Sequence, residues 1–247
     1  MAKVAKKEVN RISSNGSGKA PKIASVVLKE PNFPVIEIKV EGLSMLVQNN
    51  FSEKIRQQLL EAQLASDKPQ KTNHKARCLE DEVSEACHWF DPSLKPEFTF
   101  IEKENRWEFD GEAVTKVMTT AKFGVPLTAF KKAAVAACRS TNFKMTEMKQ
   151  ALFVMGVDHK ELALIESDRP MLVRSDCVRL KNGQPYERFR PSWPNWSCRF
   201  AVEYNADVLN AADVVNLFHL AGKSVGVGEG RPEKGGDDWG RFHVVTG

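Results

Sequence analysis

The sequence has little cysteine and no long apolar segment. Its five cysteines are odd in number and follow no framework spacing, which excludes a disulfide scaffold and favours reduced thiols in a cytoplasm. No stretch reaches the roughly 18 apolar residues that a membrane span requires. Residues 1–22 also lack the apolar centre of a secretory signal. These absences predict a cytoplasmic protein without a membrane partner.

Complete catalytic signatures are also missing. The chain has neither G-x-S-x-G nor H-E-x-x-H, and no Gly-Lys-Ser/Thr stands at the spacing of a phosphate-binding loop. The histidines at 159, 219 and 243 have no neighbouring motif. The sequence therefore predicts a binding protein rather than an enzyme, with no assigned catalytic residue, cofactor or metal ion.

Four residues with zinc-binding side chains fall close together: His74, Cys78, Cys87 and His88. Thiolate and imidazole are zinc ligands, but the spacing H-x3-C-x8-C-H is unfamiliar, and adjacent Cys87 and His88 would hinder tetrahedral ligation. A helix over residues 78–90 would also separate the two cysteines. The pattern leaves zinc binding open without predicting it.

The positive charge is concentrated at the N-terminus. The whole chain has a formal charge of +4, and residues 1–22 hold six Lys or Arg and one Glu, which leaves −1 for the remainder. Because these first residues include almost no large apolar side chain, we expect a disordered basic tail. An anionic partner must then contact the tail or a local patch. Residues 23–247 are expected to form a single α+β domain with a long insertion at about residues 66–97.

Hydrophobic periodicity predicts an α+β fold. Strands are expected at residues 23–29, 34–42, 98–102, 106–111, 153–157, 171–180, 198–205 and 241–245, with clear alternation of apolar and polar side chains in 34–42 and 198–205. Helical spacing occurs at residues 51–65, 124–140, 144–153 and 210–222. The last of these helices has Asn210 as its cap and Gly222 at its expected end. The irregular alternation of strands and helices favours an antiparallel sheet with helices on one face.

The segment between the last predicted helix and the last strand is rich in glycine. Glycine permits positive φ and close backbone approach to a ligand, and exposed amides can hold phosphates. Arg231, Lys234 and Arg241 add positive charge, and Trp239 adds a face for stacking. This run follows a helix and leads into a strand, which is the reverse of a dinucleotide-binding loop. A flexible hairpin that needs turn residues is the alternative.

Three segments resemble the RAMP superfamily, which includes the Cas7-like and Cas6-like CRISPR proteins. They are VEGLSMLVQNNFSEK (40–54), FGVPLTAFKKAAVAACR (123–139) and the loop GVGEGRPEKGG with its following WGRF (226–242). The resemblance implies a ferredoxin-like (RRM-like) core, binding of RNA or DNA on a sheet face, and filament-like oligomerisation. Most of residues 34–245, including PSWPNWSCRFAVEY (191–204), is also similar to uncharacterised proteins of tailed phages and prophages. That likeness implies a phage-type protein in the cytoplasm of a bacterial host.

Residues 171–200 interleave arginines with aromatic side chains. Arginine binds phosphate in a bidentate manner and aromatic rings stack on unpaired bases, so this mixture suits single-stranded nucleic acid. Alternatively, the tryptophans fill the core. The predicted nucleic-acid-binding residues are Lys131, Lys132, Arg174, Arg179, Arg188, Arg190, Trp193, Gly226, Gly228, Gly230, Arg231, Lys234, Trp239 and Arg241.

Three functions are compatible with the sequence. The leading hypothesis is a phage-type protein that binds single-stranded DNA or RNA without sequence preference and self-associates on the strand. A structural or protein-interaction module, such as a virion component or an inhibitor of a host complex, is the first alternative, favoured by the near-neutral charge of residues 23–247. A RAMP-like nuclease is the second alternative.

Overall fold

The computed structural model describes residues 30–50, Arg56, Leu60, and residues 76–158, 160–179, 183–235 and 237–245. The predicted tail at 1–22 and the predicted strand at 23–29 lie outside the described residues. Most of the predicted helix at 51–65 does too, although Arg56 and Leu60 within it are helical. Residues 31–247 form one compact unit.

The described residues form strands and helices that we number in chain order. The strands are β1 (Val35–Gly42), β2 (Leu46–Val47), β3 (Thr99–Ile101), β4 (Arg106–Glu108), β5 (Gly124–Pro126), β6 (Leu152–Met155), β7 (Leu162–Leu164), β8 (Leu172–Arg179), β9 (Pro185–Trp193), β10 (Ser197–Tyr204) and β11 (Phe242–Val244). The α-helices are α1 (Leu79–Ala86), α2 (Gly111–Thr120), α3 (Leu127–Ala137), α4 (Met145–Ala151) and α5 (Ala211–Ser224). Short 3₁₀ helices span Pro92–Leu94 and Cys138–Ser140.

The central sheet has four strands in the order β11-β1-β10-β6, and all neighbours are antiparallel. In chain order its elements and the helices that pack with them run β1-α3-β6-β10-α5-β11. This is the βαββαβ arrangement of a ferredoxin-like fold, with its first strand central and its last strand at an edge. The structure therefore confirms the predicted α+β class with an antiparallel sheet.

The two core helices and the inner face of the sheet enclose an aromatic core. Phe130 of α3 stacks on Phe200 of β10 with ring centroids 4.5 Å apart, and Phe200 also contacts Phe218 of α5 at 5.4 Å. Along β1, Ile38 and Val40 are buried, and Glu37 and Lys39 alternate with them. This alternation is the period-two pattern of a sheet buried on one face.

Two helix boundaries differ from the sequence expectation. The helix predicted at 124–140 begins only at Leu127, because residues 124–126 form β5 and pair with β7. Helix α5 does not end at Gly222 but continues to Ser224. A Cβ at Gly222 would lie 2.2 Å from the carbonyl oxygen of Phe242, so this glycine allows the helix to approach β11. The predicted cap is confirmed: the Asn210 side chain accepts a 2.8 Å hydrogen bond from the amide of Asp213.

Part of the predicted insertion belongs to the packed structure. Within residues 76–97, Val83 and Ala86 of helix α1 are buried. Cys87 and Trp89, which come directly after the helix, are buried as well. Helix α2 was not predicted. It begins at Gly111 and is capped by Asp110, whose carboxylate accepts hydrogen bonds from the amides of Glu112 and Ala113.

The two cysteines among the candidate zinc ligands lie far apart. Cys78 and Cys87 flank α1 at opposite ends, about 14 Å apart at the rise of an α-helix. His74 lies outside the described residues. Elsewhere in the described ranges, no group of three His, Cys, Asp or Glu side chains could hold a metal ion. Nor does any helix in those ranges combine the length and apolar character needed to cross a membrane.

Candidate nucleic-acid interface

Helix α3 and the glycine-rich loop of residues 225–241 form opposite walls of a groove of about 720 Å³, which we call the basic groove. Three separate parts of the chain contribute cationic side chains to it. These side chains are Lys131, Lys132, Arg139, Lys149, Arg231 and Lys234. One carboxylate, that of Glu233, lies among them.

The cations on α3 share one face because of helical spacing. Lys131, Lys132, Val135 and Ala136 line the groove and are followed by Arg139 in the next turn, at the three- and four-residue intervals that place side chains together. The sequence prediction omitted Arg139, although this periodicity could have identified it. Lys149 is on α4, and no local sequence pattern connects it to α3.

The charges in the basic groove are only partly neutralised. Arg139 Nη1 lies 3.5 Å and Arg231 Nε 3.3 Å from carboxylate oxygens of Glu233. Within the described part of the chain, Lys132, Lys149 and Lys234 form no ion pair. Lys131 Nζ lies 4.7 Å from the ring centroid of Phe153, where its charge stays available to an anion.

The glycines of the loop shape it against the protein itself. Gly226, Gly228 and Gly230 have φ values of 74°, 81° and 62°, which other residues rarely adopt. A Cβ at Gly228 would lie 2.5 Å from the carbonyl oxygen of Val47, and the Glu229 amide donates a 2.9 Å hydrogen bond to that oxygen. The Glu229 amide is thus used internally, and Gly228 lets the loop approach β2 closely.

Trp239 and Arg174 contact each other rather than presenting free surfaces. Arg174 Cζ lies 4.2 Å from the ring centroid of Trp239, and Arg174 also pairs with Asp176 at 2.7 Å. A Cβ at Gly230 would lie 2.2 Å from Cε3 of the same ring. These contacts attach the glycine-rich loop to β8.

Two further predicted binding residues are buried. Arg190 is 5% exposed, and its guanidinium lies 3.3 Å from Asp176 and 3.7 Å from Glu229. Trp193 is 3% exposed and packs against Phe123 with centroids 5.6 Å apart. Both side chains are therefore engaged in contacts inside the protein. Trp193 lies in the core, in agreement with the alternative interpretation that the tryptophans fill the core.

The remaining predicted arginines lie outside the basic groove. Arg179 and Arg188 are in the β8–β9 hairpin, opposite Pro185 and Asp176 respectively. Arg241 Nε donates a 3.2 Å hydrogen bond to the carbonyl of Lys223, near the end of α5. Of the fourteen predicted residues, the structure therefore brings four cations together in this groove: Lys131, Lys132, Arg231 and Lys234.

The outer face of the central sheet is not basic. Lys39 Nζ lies 2.8 Å from Glu41, and Arg199 Nη1 lies 3.9 Å from Glu37. The hydrogen bond and charge of Lys39 lower the pKa of Glu41. Glu203 adds a third carboxylate on this face, directly opposite Val35. The RAMP resemblance implied binding on a sheet face, but cations are concentrated at the basic groove instead.

Beside the basic groove lies a smaller cavity of about 320 Å³, which we call the inner cavity. His88 lines it, and burial, followed by the charge of Arg56, lowers the pKa of its imidazole. Gln48 holds the backbone of His88 in place, because its Oε1 accepts a 2.9 Å hydrogen bond from the amide of His88. Its Nε2 donates a 2.8 Å hydrogen bond to the carbonyl of Gly124. Sequence reasoning considered His88 only as a zinc ligand, and no motif marked it as a groove residue.

Comparison with solved structures finds distant neighbours among RAMP proteins. A chain of the Type III-B Cmr-beta complex, solved by cryo-EM bound to cognate target RNA, matches 85% of this chain with 10% identity and a TM-score of 0.39. This chain spans 59% of that neighbour. Cmr6 from Pyrococcus furiosus matches 87% of this chain and 99% of its own length, with 12% identity and a TM-score of 0.30. No family model and no curated protein matches the chain. Because both TM-scores are low, the fold assignment rests on the strand order described above.

Proposed function

We propose that this protein binds single-stranded nucleic acid in the basic groove without sequence preference. The observation that carries the proposal is the convergence of six cationic side chains and one carboxylate in a single groove. This excess stands out because residues 23–247 have a formal charge of −1. A local patch of this kind attracts a polyanion even when the rest of the molecule does not.

Phosphates are the chemical groups that the basic groove fits. The lysines at 131, 132, 149 and 234 supply point charges, and the two arginines that share Glu233 can turn towards a phosphate for bidentate contact. Contacts to phosphate fix a strand in position but carry no sequence information. No aromatic side chain is found among the described residues that line the basic groove, so stacking contributes little there and the proposal covers both RNA and DNA.

Two finer parts of the proposal rest on sequence resemblance. The likeness of residues 34–245 to phage and prophage proteins supports action in the cytoplasm of a bacterial host. The likeness to RAMP proteins supports self-association along the strand. The proposal includes no catalytic step and no cofactor.

A protein-interaction role is the second candidate, and one apolar corner of the sheet favours it. Val35, Phe153 and Met155 are 54%, 39% and 37% exposed. Val35 and Phe153 both stand opposite Glu203, on either side of β10. Exposed apolar clusters of this kind mark protein-interaction surfaces.

The test is a fluorescence-anisotropy titration of short DNA and RNA strands over a range of salt concentrations. Four phosphates held by four lysines predict a slope of log affinity against log salt of about −3, since each contact on a single strand contributes about −0.7. Lys132→Ala with Lys234→Ala should weaken binding and reduce the steepness by about 1.4. Lys116→Ala on α2 is the matched control and should change neither quantity.

Two results would contradict the proposal. Equal binding by the double variant and the wild-type protein would show that the strand lies elsewhere, and absence of binding at low salt would favour the protein-interaction role. Strand cleavage in the same mixtures, with or without a divalent metal ion, would instead support the nuclease alternative.

A further inference from the structure

The inner cavity and the basic groove are adjacent and share part of their lining. Both are lined by Thr128, Lys132, Arg231, Glu233 and Lys234. A strand whose phosphates lie along the groove therefore passes the mouth of the inner cavity. Lys132 and Lys234 at this mouth have no ion-pair partner in the described ranges, so they can hold the phosphate of one nucleotide there.

The wall of the inner cavity combines apolar and polar side chains. Pro126 and Ala129 present apolar surface beside the buried Leu46 and Val125, and Asn49, His88 and Thr128 present polar groups. A base inserted there would cover the apolar part of the wall, which is favourable in proportion to the area buried.

Two polar side chains of the inner cavity can form hydrogen bonds with a base. Within the part of the chain that the structure describes, the imidazole of His88 and the amide of Asn49 have no side-chain hydrogen-bond partner, although both line the cavity. A neutral imidazole offers one donor and one acceptor, and an amide offers both. Because burial lowers the pKa of His88, its ring is neutral at pH 7.

We propose that the inner cavity accepts one unstacked base of the strand bound in the basic groove. The inference rests on the proposed function and adds a subsite to it. The volume of about 320 Å³ is at the lower end of the range for small-molecule sites, which suits one nucleotide rather than two. Ligand sites commonly combine an apolar wall with a few convergent polar groups, as this cavity does.

The experiment compares adenosine monophosphate with ribose phosphate, titrated by calorimetry into the full-length protein. Both ligands carry a phosphate for Lys132 and Lys234, but only the first carries a base. Adenosine monophosphate should bind more tightly by on the order of tenfold, which corresponds to burial of about 55 Å² of apolar base surface at about 25 cal/mol per Å². Equal affinities would overturn the proposal, because a phosphate-only site does not distinguish the two ligands.

A variant that fills the inner cavity tests the location. Ala129→Phe adds a ring at a half-buried position of α3 that lines the cavity, without changing any charge. It should abolish the preference for adenosine monophosphate and leave ribose phosphate binding unchanged. Ala113→Phe, at an exposed position of α2, is the matched control and should keep the preference.

His88→Ala provides a second test in case Ala129→Phe destabilises the fold. It should weaken adenosine monophosphate binding several-fold and leave ribose phosphate binding unchanged. A preference that survives both substitutions would place the base elsewhere and overturn the assignment. Strand binding in the anisotropy titration is scored separately. If the strand binds in a salt-dependent way but adenosine monophosphate and ribose phosphate bind equally, only the base subsite is contradicted. If no strand binds at all, the proposed function is contradicted, and the base in the cavity cannot belong to a strand.

Discussion

Arg190 illustrates at the scale of one residue how an arginine-rich stretch can be structural. It is buried between the carboxylates of Asp176 and Glu229, so it connects β9 to β8 and to the glycine-rich loop. Its charge is compensated inside the protein and is not available to a phosphate. A buried charge that loses its partner carries a large desolvation cost.

Arg190→Ala should therefore lower the free energy of unfolding by roughly 2 kcal/mol or more, because Glu229 and Asp176 lose a buried partner. Urea denaturation followed by circular dichroism measures this. Arg188→Ala, two residues away in the same strand and without an ion pair in the described ranges, should change stability by no more than about 0.5 kcal/mol. A similar loss for both variants would contradict the structural role of Arg190.

His88 predicts a pH dependence. Burial, with the charge of Arg56 second, lowers its pKa below the usual 6.5 in the folded protein. As pH falls below about 6.5, the unfolded chain takes up the proton before the folded protein does, so stability is lost towards acid pH and is fully retained above that value. The wild-type protein should thus lose its stability advantage over His88→Gln as pH falls from about 7.5 to 5.5, by at most about 1.4 kcal/mol per pH unit. Urea denaturation at each pH measures the difference, and a difference that stays constant or grows towards acid pH would show that the imidazole is not held neutral.

At the scale of secondary-structure elements, Gly222 is explained by the contact between α5 and β11. The sequence suggested a helix end there, since glycine commonly follows the last turn. The structure shows instead that the Phe242 carbonyl occupies the space where a Cβ would be. Local sequence cannot distinguish these cases, because the requirement comes from a strand twenty residues later.

Gly222→Ala should destabilise the protein by about 1–3 kcal/mol, the usual cost of overpacking a filled site. Gly111→Ala, where nothing lies within 4 Å of the added Cβ, should be neutral or stabilising, since it reduces the freedom of the unfolded chain. Thermal unfolding of both variants tests this contrast. A tolerated Gly222→Ala would mean that α5 does not pack closely on β11.

Most elements of the core could be predicted from local pattern, and the exceptions have physical causes. Strand β10 alternates strictly, and α5 has a capping box at Asn210; both signals are local. Helix α2 has local signals that the sequence prediction missed, since Asp110 caps it and the buried Val114 is followed at helical spacing by Val117 and Met118, which pack against the core. Residues 124–126 form β5 because β7 pairs with them, and this pairing is not local.

The candidate site was predicted only in part for the same reason. Lysines 131 and 132 and the cations of the glycine-rich loop could be identified as charged residues on a helix and a loop. Their convergence depends on the packing of that loop against β2, through Gly228 and Val47. The same packing buries Arg190 and holds Trp239, which the composition of the stretch alone presented as binding residues.

At the scale of the whole molecule, the positive charge has two locations. Residues 1–22 hold an excess of five positive charges, and the basic groove holds six cationic side chains and one carboxylate. Under the proposed function the strand binds in the basic groove. The tail contributes at most long-range attraction, which salt screens within about 10 Å at 0.1 M.

Replacing the six cations of residues 1–22 with glutamine in the full-length chain should therefore preserve salt-dependent binding. We expect a lower affinity at low salt and little change at moderate salt, as measured by anisotropy. Complete loss of binding at both salt concentrations would assign the strand to the tail instead.

The location of the strand is tested most directly by photo-crosslinking. A single strand that carries a photoreactive base is bound at low salt, irradiated and digested, and the crosslinked peptides are identified by mass spectrometry. The account predicts crosslinks to α3 and to residues 226–234, and their loss when Lys132 and Lys234 are replaced by alanine. Crosslinks confined to the β8–β9 hairpin or to the outer face of the central sheet would contradict it.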